Sequence, residues 1–147
     1  PIGTAFGVGV HAMLTGPVGP SIVYNTDRFH LEGIVAMTNV DGEEGTDITL
    51  AGRGWFHIHQ AKASSLSIGG GVGFARNETE VPDPRGGTTT ETTTDIHLEG
   101  GAQIRFFATP NVALSASLGL GIVSGDADVL VITGQLTGAV GLTYFLF

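Results

Sequence analysis

Apolar residues recur at every second position in eight separate stretches of this chain. That is the period of a strand with one face in an apolar medium and the other in a polar one. From Thr4 to Leu14, Phe6, Val8, Val10, Ala12 and Leu14 share a face, with Gly7, Gly9, His11 and Met13 opposite. The prolines and glycines of TGPVGP (residues 15–20) predict a turn, and a shorter second strand covers Ser21–Asn25. The third sets Phe29, Leu31, Gly33, Val35 and Met37 against Arg28, His30, Glu32, Ile34 and Ala36. In the fourth, Ile48 to His59, the residues Ile48, Leu50, Gly52, Gly54, Phe56 and Ile58 oppose Thr49, Ala51, Arg53, Trp55, His57 and His59. The fifth places Leu66, Ile68, Gly70, Val72 and Phe74 opposite Ser67, Gly69, Gly71 and Gly73. The sixth sets Ile96, Leu98, Gly100, Ala102, Ile104 and Phe106 against His97, Glu99, Gly101, Gln103 and Arg105. The seventh runs from Val112 to Ile122, its leucines opposite Ser115, Ser117 and glycines; the eighth runs from about Val129 to Phe147. Near its end two alternations compete, Phe145, Thr143, Gly141 and Ala139 against Leu146, Tyr144, Leu142 and Val140, so the facing of this strand stays open.

The connections alternate too. Those after the second, fourth and sixth strands are short, whereas Thr38–Asp47 and Ala75–Thr94 are long. Short turns on one side and longer loops on the other are the pattern of an up-and-down barrel in an outer membrane, where the short turns are periplasmic. An even strand number then puts both termini on the periplasmic side. Aromatic residues gather at that end, as a membrane interface favours: Phe6, Phe29, Phe56, Phe106, Tyr144 and Phe147 form the predicted girdle, with Tyr24, Phe107 and Phe145 nearby. The threonine tract Thr88–Thr94 is strongly β-prone, so strands five and six are expected to continue beyond the bilayer as a hairpin.

Composition excludes the main alternatives. In 147 residues there are 24 Gly, 41% hydrophobic and only 14% charged residues, yet charges and prolines interrupt every run long enough for a membrane helix. The length allows one domain, a single barrel over residues 1–147. There is no Cys, hence no disulfide framework and no thiol-ligated metal. No basic and apolar leader precedes Pro1, so an exported form is expected to have lost its signal peptide already. A net charge of −8 with six basic residues argues against nucleic acid. The long connections, with Asp95 just beyond the second, and the segment after the seventh strand carry nine more acidic than basic residues, which leaves the rest of the chain near neutral.

These features, with the terminal GLTYFLF, resemble the small eight-stranded outer-membrane barrels of the OmpA transmembrane domain, OmpX and OmpW class. The resemblance implies an all-β, closed, eight-stranded antiparallel up-and-down transmembrane β-barrel. It implies a monomer in a bacterial outer membrane, surrounded by its lipids and lipopolysaccharide, without a cofactor.

An interior of this width is filled by side chains. The polar faces assign it Arg28, His30, Glu32, Arg53, His57, Glu99, Gln103 and Arg105, and all five histidines fall on those faces. Buried charges must be paired, so the expected reading is an interior ion-pair and hydrogen-bond network, with a narrow water or proton path as its rival. A tight turn at Gln60–Ser64 predicts Trp55 opposite Gly69 and Arg53 opposite Gly71, large groups over missing side chains. His57 and His59 beside His30 and Glu32 have the residue types of a zinc site without its spacing, and no metal is expected. Asp41, Glu43, Glu44 and Asp47 form an acidic loop whose charge suits a hard cation bridging to lipopolysaccharide, without EF-hand spacing.

Three other functions compete with a structural or surface-interaction role that has an extracellular or envelope protein partner. An OmpW-like channel needs a lumen. A lipid A-modifying hydrolase needs Ser, His and a carboxylate together, but the turn at Pro110 is expected to put Ser117 near Gly101 and Ser115 near Gln103, several residues from His97. A soluble lipocalin-like barrel needs the faces reversed, apolar inside.

Overall fold

The computed structural model describes residues 3–14, 18–39, 46–124 and 133–146. Eight strands follow one another: β1 (Ala5–Met13), β2 (Val18–Asn25), β3 (Phe29–Asn39), β4 (Thr46–Gln60), β5 (Ser64–Asp83), β6 (Gly87–Thr109), β7 (Val112–Ser124) and β8 (Thr133–Leu146). Each pairs antiparallel with the next, and β8 returns to β1, so the sheet closes as an up-and-down barrel. Closure pairs the backbone donors and acceptors along the wall without a free edge, the condition a β-structure must meet inside a bilayer.

The alternation sorts the faces as the sequence predicts. Phe6, Val8, Val10, Ile22, Leu31, Val35, Leu50, Ile68, Leu98, Leu118 and Leu120 are exposed on the outer wall, while His30, Glu32, Arg53, Trp55, Gln103 and Arg105 are buried inside. In the last strand Val140, Leu142, Tyr144 and Leu146 point out, and Ala139, Gly141, Thr143 and Phe145 point in. Apolar outside and polar inside is the reverse of a lipocalin-like barrel, so that alternative is corrected. Ala5, Val23, Ala113 and Phe145, with Phe107 against them, make a small apolar plug at the end where the termini lie.

Phe6 and Tyr24 stack with ring centroids 4.9 Å apart, and Phe29 and Phe56 at 6.3 Å. Phe106 and Tyr144 are exposed at the same end. Phe107 and Phe145 share that level but turn inward, 6.3 Å apart. Phe147 lies outside the described residues.

The turns at this end are short. Thr26 bridges β2 to β3: its hydroxyl donates to the Phe29 carbonyl (2.9 Å) and accepts from the Phe29 N–H (3.1 Å). Between β6 and β7 the Thr109 hydroxyl accepts from the Asn111 and Val112 N–H groups, the side-chain turn typical of threonine. At the other end residues 75–94, read as a long connection, are mostly strand. Asn77 to Asp83 pair with Gly87 to Thr93, and the three-residue loop between them closes through Gly86, which takes φ +87°, the left-handed position of such a hairpin.

Two bulges shift the register. One lies between His57 and His59, so that Ser67 faces His57 but Leu66 faces His59. The other lies between Phe107 and Thr109. Trp55 nevertheless pairs with Gly69, and Arg53 with Gly71, as expected. A Cβ on Gly69 would run into the Gly54 carbonyl oxygen and the Trp55 backbone. Gly69→Ala is therefore expected to lower stability by about 1–3 kcal/mol. Denaturant unfolding of the refolded barrel measures it, and an unchanged midpoint would show that the wall relaxes freely there.

Candidate functional site

The inward faces of β1, β3, β4 and β6 carry the chemistry. Glu32 on β3 sits directly opposite Arg53 on β4, and His30 opposite Trp55. The Glu32 carboxylate is the hub. It accepts from Gln103 Nε2 (2.8 Å) and Trp55 Nε1 (3.2 Å), and it lies 3.4 Å from His30 Nε2, 3.6 Å from Arg53 Nη1 and 3.8 Å from His11 Nε2. Five groups converge on one carboxylate that is 3% exposed. That many partners is what a buried charge needs to offset its desolvation.

Arg53 reaches upward from the same hub. Its Nε donates to Glu99 Oε1 at 2.5 Å, its Nη2 donates to Ser117 Oγ at 2.8 Å, and its guanidinium lies 5.0 Å from the Trp55 ring centroid. Below, His30 Nε2 meets Gln103 Oε1 at 2.7 Å and His30 Nδ1 meets His57 Nε2 at 2.8 Å. Arg105 Nη2 donates to that same His57 nitrogen (2.8 Å), its Nε donates to Ser65 Oγ (3.3 Å), and its guanidinium covers the Phe107 ring. Gly71 leaves room for this stack, since a Cβ there would stand 2.7 Å from Arg53 Cγ.

Seven of the eight residues expected in the interior network are thus brought together. Arg28 is not: it precedes β3 in the turn and is exposed, because the strand begins one residue later than the alternation suggests. The charge balance therefore rests on Arg53 and Arg105 against Glu32 and Glu99. His59 also leaves the interior, since the bulge turns it outward and exposed. His11, expected inside with the other histidines, joins the network at Glu32, and Trp55, Ser65 and Ser117 join it unpredicted as members. Their inward parity was legible, but their partners across the barrel were not.

Among the described residues no group of three or more His, Cys, Asp or Glu is placed to hold a metal ion. Asp47 lies in β4, its backbone paired with Thr38; Asp41, Glu43 and Glu44 fall outside the described residues. The hydrolase constellation is not assembled. Ser117 pairs with Gln103 and Ser115 with Arg105, two residues from the expected register, because the turn centres on Pro110–Asn111, further along the chain than expected, and the bulge takes back only part of that shift. His97 and Glu99 instead face Val123 and Gly121. Among the described residues the interior of the half nearer the termini is filled rather than open as an OmpW-like lumen: Trp55, Phe145, Ile34, His30, Gln103 and Ser67 are fully buried.

The other notable surface is the ribbon formed by the tips of β5 and β6. Pairing of β4 with β5 reaches Arg76 and that of β6 with β7 reaches Ile96; beyond them the two strands pair only with each other among the described residues. Seven residue pairs at about 3.3 Å per residue make an arm of ~23 Å. Thr88 to Thr94 are exposed along it.

No protein-family model matches the sequence, and no curated protein matches it. Solved structures do. The N-terminal β-barrel domain of Pseudomonas aeruginosa OprF superposes with a TM-score of 0.55 at 18% identity, covering 98% of each chain. A major outer membrane protein of Thermus thermophilus gives a TM-score of 0.63 at 12% identity, over 97% of this chain and 99% of that one. Ail, the attachment invasion locus protein of Yersinia pestis, gives 0.53 at 16% identity over 99% and 100%, and its structure is also known in complex with the heparin analogue sucrose octasulfate. The chain has the fold of the small eight-stranded outer-membrane β-barrels.

Proposed function

We propose that this protein is an integral outer-membrane barrel whose interior network is structural and whose work is done at the cell surface, through an acidic rim and the β5–β6 ribbon. The ribbon carries this reading: it projects from the end opposite the aromatic belt and the termini, where the acidic residues also gather. In this orientation the termini are periplasmic. The interior stitches strands that are not neighbours, β3 to β6 and β4 to β7, and supplies neither an assembled nucleophile nor a lined passage among the described residues.

Charge bears on the partner. Ail is known with a sulfated, polyanionic ligand, whereas the outer connections of this chain carry nine more acids than bases. These connections themselves repel a soluble polyanion of that kind. A cationic protein surface, or lipopolysaccharide bridged by divalent ions, is the complementary partner.

Orientation is testable because the chain has no native cysteine. Thr90→Cys in the ribbon is expected to react with a membrane-impermeant maleimide on intact cells. Lys62→Cys, in the exposed turn between β4 and β5, is expected to react only after the membrane is permeabilised. Labelling of Lys62→Cys alone on intact cells would invert the orientation and remove the surface role.

A further inference from the structure

On the outer wall, cross-strand pairing aligns Val8, Ile22, Gly33, Gly52 and Val72 in one row across β1 to β5. The two glycines stand side by side in that row, so the wall sinks there into a groove. Its floor is Gly33 and Gly52, its sides Ile22 and Val72, and its upper rim Val35, Leu50 and Phe74. It measures about 700 Å³ and is almost wholly apolar, within the roughly 300–1,000 Å³ range of sites that enclose small ligands. Packing within the barrel does not demand Gly52, because a Cβ there would meet nothing within 4 Å. An interior glycine weakens a strand and marks close approach by another group. Over Gly52 the space is open, and it opens outward.

Arg76 supplies the second observation. Among the described strand residues it is the one arginine or lysine that faces outward: Arg53 and Arg105 are buried, and Arg28, Lys62 and Arg85 lie in turns. It stands on the groove's face of β5, two positions beyond Phe74 and four beyond Val72, which places it ~13 Å above the floor. Its side chain is 60% exposed, and its ion pair with Glu78, at 3.3 Å on the same strand, is of the exposed kind that contributes little and exchanges readily.

We propose that this groove seats an acyl chain of a phosphorylated, multiply acylated glycolipid of the outer leaflet, lipid A in type, with its phosphate on Arg76. The proposal rests on the orientation argued above, which sets Arg76 at the outer interface. Neighbouring lipid tails are as apolar as the groove walls, so no hydrophobic force selects the chain. Close packing over the two glycines holds it, and the guanidinium, with its bidentate geometry, chooses the phosphate. The acidic rim leaves Arg76 as the contact available to an anionic headgroup on this face.

The test is native mass spectrometry of the detergent-refolded barrel with diphosphoryl lipid A as the probe and phosphatidylcholine as the comparator. The wild-type protein is expected to retain lipid A in preference to phosphatidylcholine. Gly52→Leu fills the floor from a position whose Cβ meets nothing within 4 Å; with folding verified by heat-modifiable migration, it is expected to lower lipid A retention about fivefold. Arg76→Gln is expected to lower it about two- to fivefold. Equal retention of lipid A by wild type and either variant overturns the proposal, as does equal retention of the two lipids by wild type. A chain that stays monodisperse without detergent would instead overturn the membrane reading beneath it.

Discussion

Glu32→Ala is expected to cost the barrel about 3–5 kcal/mol, the range for removing one partner of a buried ion pair. The loss is large because the carboxylate serves five groups at once. Without it Gln103 and Trp55 each lose an acceptor, and Arg53, His30 and His11 lose the charge they surround. Arg53 retains Glu99, so the variant is weakened rather than emptied of ion pairs. Urea unfolding in lipid vesicles, followed by heat-modifiable migration, measures the change. Glu99→Ala is the control: the Glu99 side chain is 22% exposed, water replaces it as a partner, and the loss is smaller. Equal midpoints for wild type and Glu32→Ala would show that the network contributes nothing to stability.

Leu118→Arg tests the medium around the wall. Leu118 lies midway along β7, 58% exposed, with its side chain on the outer face. In a bilayer, an arginine there is expected to cost about 2–4 kcal/mol, because the midplane offers the guanidinium neither water nor a counter-charge. On a soluble barrel the same change would stay within about ±0.5 kcal/mol and would improve solubility. Unfolding of the two proteins in vesicles gives the difference, and a neutral result would place that face in water.

Parity makes most of the fold legible from sequence. A period of two has only two phases, so each strand's facing follows once its apolar set is recognised. His30, Glu32, Arg53, Gln103 and Arg105 are placed inside on that ground alone. Register is legible only where a turn is tight, as at Trp55 and Gly69. The bulges are not legible. Neither His57–His59 nor Phe107–Thr109 contains a glycine or proline that would announce an extra residue, yet the first turns His59 out of the interior and the second resets the register of Ser115 and Ser117 by one residue past the turn. Contacts across the barrel are hidden for a different reason. His30 and Gln103 are 73 residues apart and lie on strands that are not neighbours; they meet because the sheet closes, and closure is a property of all eight strands together. The ribbon is half legible: the threonine tract marks its second strand, but Arg76 to Asp83 carry charges and a proline that read as loop.

The seam between β1 and β8 sets the order of events during folding. Phe6 pairs with Leu146 and Gly7 with Phe145, so the first strand finds its second neighbour only in the eighth. Until then β1 has only one neighbour and presents a bare hydrogen-bonding edge, and nothing short of the full length can close. Contacts this distant in sequence are slow to form. Closure of the wall therefore waits for β8 to reach β1, and the free edge of β1 is the part of the barrel satisfied last.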